Sequence, residues 1–159
     1  MRKTKIKEKR IKITVQVIAS NTFIPSRYFL QRWVNKALSK QVTSNQVNIR
    51  LVSKKESAEL NSTYRHKKGP TNILSFPFEP PPEVSSNFLG DLVICAELVN
   101  QQAKQQVKTR LAHWAHLIIH GCLHLIGYDH IHDKDANKME TIEIQILKEL
   151  GYENPYIWR

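Results

Sequence analysis

Six of the seven histidines fall between His113 and His132. Even scatter would place about one there. His113, His116, His120 and His124 are spaced by three, four and four residues. At about 100° per residue all four share one helical face. Imidazoles at i and i+4 sit close enough to hold one metal ion. The stretch HGCLHLIGYDH reads H-x-x-x-H-x-x-G-x-x-H. His120 and His124 come from consecutive turns, Gly127 lets the chain turn sharply, and His130 can return to the same point. Three imidazoles with an open fourth position make a catalytic zinc site, one ion per chain. Nickel, copper or iron suit the same donors, so spacing does not choose the metal. Metal peptidases with this spacing place a Glu after the first His as general base. Here that position is Gly121, so the metal geometry survives without the proteolytic base. His113 and His116 lie one to two turns back and read as core groups or supports for the ligands. Cys122 lies about 200° around the helix and reads as a buried core thiol. His132 reads as exposed.

The second unusual segment is YRHKKGPTNILSFPFE, from Tyr64 to Glu79. Arg65 can offer a two-pronged fork to a phosphate. Lys67 and Lys68 add charge beside it and are candidate contacts to an anionic, phosphate-bearing ligand. Asp129 and Asp91 are acids able to orient a ligand or water, though a structural turn role is the simpler reading for each. Tyr64 and Phe76 could stack on bases, against a simpler role in the core.

These residues need elements to position them. Ile11, Ile13, Val15 and Val17 alternate as a strand, as do Val47, Ile49 and Leu51. Pro25 and Ser26 open a helix with an apolar stripe of Phe29, Leu30, Trp33, Val34, Ala37 and Leu38. Ser53 and Glu56 form a capping box, predicting a helix from Lys54 to Arg65. Residues 67–72 read as a loop, then Ile73 to Phe78 and Leu89 to Cys95 as strands. Helices follow over Glu97 to Gln106 and Thr109 to about Leu125, the second closed by Gly127. Asp133 or Asp135 caps a last helix carrying Met139, Ile142, Ile146, Leu147 and Leu150 and stopped by Gly151. The order predicts an α+β fold, a small mixed sheet of about four strands packed with about five helices.

With 159 residues, one domain is expected, over 11–159, after a basic tail over 1–10. The formal charge is +10; residues 1–12 hold seven Lys or Arg and one Glu, a net +6. Such a tail is drawn to polyanions. From Asp129 to Glu153 there are seven acids and three lysines, so an anion-binding side and a separate acidic side are expected. Two cysteines make no disulfide framework, which fits a reducing compartment. No apolar run reaches the roughly 18 residues of a membrane span. A soluble cytoplasmic protein with no membrane contact is expected.

Taken together, LNSTYRHKKGPTNILSFPFE, LGDLVI and above all HGCLHLIGYDH resemble the bacterial YbeY family, single-strand-specific endoribonucleases and ribosomal RNA maturation factors. The likeness runs from about Ile13 to Tyr156. It implies metal-dependent cleavage of single-stranded RNA, 16S rRNA 3′ end processing, ribosome quality control, and the ribosome and its RNA as partners. It puts the zinc ligands on His120, His124 and His130 and the functional arginine on Arg65. Where the family commonly has an acid after the Tyr-Arg pair, this chain has Lys68. Two alternatives are a metal-dependent hydrolase of a peptide or ester bond and, within what the resemblance implies, a non-catalytic ribosome-associated factor with a structural metal.

Overall fold

The computed structural model describes residues 10–19, 21–40, 45–129 and 131–157. His130 and all but the last residue of the expected 1–10 tail lie outside the described residues. The elements run β1 (Lys12–Val17), α1 (Arg27–Ala37), β2 (Gln46–Leu51), α2 (Lys54–Arg65), β3 (Ile73–Pro77), β4 (Phe88–Ile94), α3 (Ala96–Gln105), α4 (Arg110–Leu125) and α5 (Asp133–Glu149). The four strands form one mixed sheet in the order β1-β2-β4-β3. β1, β2 and β4 are parallel, and β3 runs antiparallel to β4 at one edge. This is the α+β architecture expected from the sequence.

Alternation along the strands sorts their side chains between two layers. Val47, Ile49, Leu51, Leu92 and Ile94 face the main core with α1, α3, α4 and α5. Val93 and Leu74 face the other side, where they meet Val52, Leu60 and Phe76 in a smaller cluster beneath α2. β4 is therefore buried on both faces, which explains its apolar run LVI. α4 is the central helix and touches α1, α3, α5, β3 and β4. Trp114, Ala115, Leu117, Ile118, Ile119, Cys122, Leu123 and Leu125 are all buried, so it is apolar nearly all round. His116, His120 and His124 on its remaining stripe are only half-buried. No helix among the described residues is long and apolar enough to cross a membrane.

The helix ends follow local chemistry. Ser53 Oγ accepts the Glu56 N–H at 3.2 Å, and Thr109 Oγ1 accepts that of Ala112 at 3.2 Å. The predicted capping box is half made, because the Glu56 carboxylate turns away to Arg50 at 2.5 Å. Gly127, at φ +100°, lets the chain leave α4 in the left-handed region. The last helix departs from expectation. His132, not an aspartate, occupies its N-cap. Asp133 and Asp135 fall in the first turn, where their charge suits the positive end of the helix dipole.

Candidate metal centre

His116, His120 and His124 lie on successive turns of α4 and line one cleft of about 760 Å³. The Nε2 atoms of His120 and His124 stand 3.0 Å apart. Each ring is fixed from behind through its other nitrogen. His124 Nδ1 donates to the Tyr128 carbonyl at 2.9 Å, a contact made by the turn at Gly127. His120 Nδ1 donates to Glu143 Oε1, brought from α5. Glu143 is fully buried. Burial alone would raise its pKa, but hydrogen bonds from His116, His120 and Tyr156 outweigh that and bring it down to about 2. The carboxylate is thus ionised and only accepts, as the Tyr128 carbonyl does, so Nδ1 of each ring carries the hydrogen toward its own partner. The two Nε2 atoms, 3.0 Å apart, are then turned toward each other. Two imidazoles on a tetrahedral zinc, with bonds of about 2.0–2.1 Å, would stand ~3.3 Å apart, close to what is seen.

A His/His/Glu group able to hold a metal ion is also present: His116, His120 and Glu143 each bring a ligand atom within 4.8 Å of the others. These contacts are already engaged with one another. Glu143 Oε2 meets His116 Nε2 at 3.4 Å and accepts the Tyr156 hydroxyl, while Oε1 holds His120. Glu143 also lies behind the cleft wall, whereas the two Nε2 atoms lie in residues that line it. His120 and His124 thus line the cleft, and Glu143 stands behind the His120 ring and orients it. His130 lies outside the described residues, but its neighbours Asp129 and Ile131 both line the cleft.

Arg65 and Lys67 line the same cleft from across β3. Arg65 sits in the last turn of α2 and its Nη2 donates to the Ser75 carbonyl at 3.3 Å. The basic loop is pinned by buried side chains of α2. Ser57 Oγ donates to Thr71 O at 2.8 Å and accepts from Thr71 N at 2.9 Å, and Asn61 Nδ2 donates to Gly69 O at 2.9 Å. Lys68 is exposed and does not line the cleft.

The other residues singled out in the sequence separate cleanly. His113 is buried and turned to Gln102 Oε1 at 3.1 Å, a core role. Cys122 is buried against the core, and burial pushes its thiol pKa up. His132 is exposed. Asp129 Oδ1 accepts the Ile131 N–H at 3.1 Å, as a turn carboxylate does. Asp91 corrects its reading: it lies inside β4 opposite Phe76, not in a turn. Tyr64 is 60 % exposed, so it is not core; its ring meets Phe76 edge-on at 5.2 Å. Gly121 faces the sheet. A Cβ there would come within 2.7 Å of Ile73 Cδ1 and 2.9 Å of Leu92 Cδ2, so the position holds no side chain and offers none to the cleft.

Glu143 and Tyr156 were not singled out in the sequence. A signal for Glu143 existed. It sits four residues from both Met139 and Leu147, on the buried face of α5. A carboxylate on an apolar stripe needs a buried partner. No comparable signal marks Tyr156.

A small mixed sheet crossed by a histidine helix, with a buried carboxylate behind the imidazoles and cations across the cleft, makes an α+β protein whose cleft is able to hold a metal ion and is suited to an anionic substrate. The family model described as Endoribonuclease YbeY matches residues 7–151. The chain belongs to the YbeY family of endoribonucleases, hydrolases that act on RNA. It is also similar to the solution structure of TM1509 from Thermotoga maritima, at 25% identity and a TM-score of 0.53, over 87% of this chain and 92% of that one.

Proposed function

We propose that this protein is a metal-dependent, single-strand-specific endoribonuclease that matures ribosomal RNA, acts at the 3′ end of 16S rRNA and in ribosome quality control, associates with the ribosome, and works in the cytoplasm. Its cysteines Cys95 and Cys122 are free and buried, in keeping with a reducing compartment. His120, His124 and His130 hold one divalent cation, taken to be zinc. The single observation that carries the reading is the Nε2 pair at 3.0 Å in a cleft shared with Arg65 and Lys67.

When bound, the cation supplies Lewis acidity toward a phosphate oxygen and acidifies a water. The chain's own groups do the rest. Glu143 and the Tyr128 carbonyl hold the two rings in one tautomer and orientation, so their donor atoms need no rearrangement. Arg65 and Lys67 attract the RNA backbone, and Arg65 offsets negative charge that grows on the phosphate during cleavage. Gly121 leaves no general base after the first histidine, which argues against a peptidase.

The test is incubation with single-stranded RNA and with casein, each with and without chelator, beside metal analysis of the purified protein. RNA cleavage that chelator abolishes, with casein intact, is the expected result. Casein cleavage with RNA intact would reverse the assignment. Analysis of the RNA ends identifies the nucleophile: a 2′,3′-cyclic phosphate means attack by the substrate's own hydroxyl.

A further inference from the structure

A second cationic groove of about 660 Å³ lies away from the cleft. Its walls include Arg10, Arg27, Tyr28, Arg32 and Lys36, with Glu149 as the one carboxylate among its lining residues. Tyr28, Arg32 and Lys36 are spaced i, i+4, i+8 and so share one face of α1. α1 is fastened to the outer strand: Arg27 Nη2 donates to Ile13 O at 2.8 Å, and Gln31 Nε2 to Ile11 O at 2.6 Å. The groove therefore sits at the β1 edge of the sheet, while the cleft sits at the β3 edge. Three strand spacings, about 14 Å, separate those edges.

The cations here are only partly neutralised. Lys36 pairs with Glu149 at 3.0 Å. The side chains of Arg10 and Arg32 are exposed and have no hydrogen bond or ion pair among the described residues. Tyr28 is 68 % exposed, an aromatic face beside free guanidinium groups. Backbone-tracking cations beside an accessible ring are what single-stranded nucleic acid binds, since every base can stack and every nucleotide brings a phosphate. An acidic protein segment would use the charge but has no need of the ring.

We propose that this groove, built on Arg10, Tyr28 and Arg32, binds the backbone of single-stranded RNA flanking the strand held in the cleft. The inference rests on the nuclease reading above. It makes the protein a two-site binder, whose affinity rises once an RNA is long enough to reach both edges.

The test is the double variant Arg10→Glu/Arg32→Glu, with Arg10→Gln/Arg32→Gln as a milder companion. Binding is measured by fluorescence anisotropy with RNAs of about 6 and about 30 nucleotides, in chelator so that nothing is cut. The long RNA should bind roughly tenfold more weakly to the Glu variant, and the slope of log affinity against log salt should fall by about 1.4, or ~0.7 for each lost phosphate contact. The Gln variant should fall between it and the wild type. Cleavage of the short RNA, measured with metal, should be unchanged. Unaltered long-RNA affinity and salt slope would overturn the proposal and leave the groove to an acidic protein. If the wild type cuts no RNA but the binding difference persists, the groove stands and the nuclease reading falls.

Discussion

Glu143 on α5 accepts a hydrogen bond from Nδ1 of His120 on α4, and so turns the Nε2 of that ring toward His124. The two residues are 23 positions apart, so the Nδ1 contact exists only because α5 docks on α4. Replacing Glu143 by Gln keeps the shape and one acceptor oxygen but removes the charge and sets an NH2 donor against a group that itself donates. Metal affinity, titrated against a competing chelator, should drop about 10–100-fold. The fold should persist by circular dichroism. Wild-type affinity in Glu143→Gln would show that the carboxylate does not orient the ligand.

The glycine after His120 carries a second expectation. A Cβ at 121 would press on Ile73 Cδ1 and Leu92 Cδ2. Gly121→Ala gains about 1 kcal/mol of helix propensity but pushes two core side chains, for a net cost of about 1 kcal/mol. Gly121→Glu places a carboxylate against Leu92 and should prevent folding or cost at least ~3 kcal/mol. Thermal denaturation of both variants checks this. A stable, folded Gly121→Glu protein would mean that the helix can rotate away from the sheet, contrary to the contacts at Ser75 and Leu92.

Much of this arrangement is legible in the residues. The alternating strands and the stripe from Phe29 to Leu38 state which side is buried, because a period of two or 3.6 maps directly onto a face. Ser53 and Thr109 mark helix starts through their caps. Local spacing also brings His120 and His124 together, because i and i+4 adjacency needs no tertiary knowledge. What lies beyond local reach is the pairing of α4 with α5 through Glu143, which depends on how two helices dock. Asp91 is a different case: its residue type suggests a turn, yet it falls within the strand that the run from Leu89 to Cys95 already predicts, and the pattern outweighs the residue type. Tyr64 shows the limit in reverse, since a large aromatic reads as core until the edge of the sheet leaves it half in water.

Acid should act first through His113, which is only 4 % exposed. Burial, then the charges of His116 and Lys108, lower its pKa from 6.5 to about 4. The unfolded chain takes up this proton near pH 6.5, while the folded protein resists until about pH 4. Its contribution to stability is therefore fully present above pH 6.5 and is lost as pH falls through that window. The shift corresponds to about 3 kcal/mol. Glu143 adds a second loss at lower pH, between 4.5 and about 2. Urea unfolding in chelator, from about pH 7.5 to about pH 4, should show this slope in the wild type and a flatter one in His113→Gln. Identical slopes in the two proteins would remove His113 as its source.

Arg65 is held by the Ser75 carbonyl, not by the histidines, so its removal should separate metal binding from cleavage. One guanidinium proton bonds β3 at 3.3 Å, which leaves the rest of the fork for a phosphate in the same cleft as His120 and His124. Arg65→Ala should keep full metal content and cut single-stranded RNA about 10²–10³-fold more slowly. Arg65→Lys restores the charge but not the planar fork, so it should recover only part of that loss. The useful comparison is kcat against metal content across the wild type and both variants. If Arg65→Ala cleaves RNA at the wild-type rate with its metal in place, the arginine has no part in the reaction and serves only to tie α2 to the edge of the sheet.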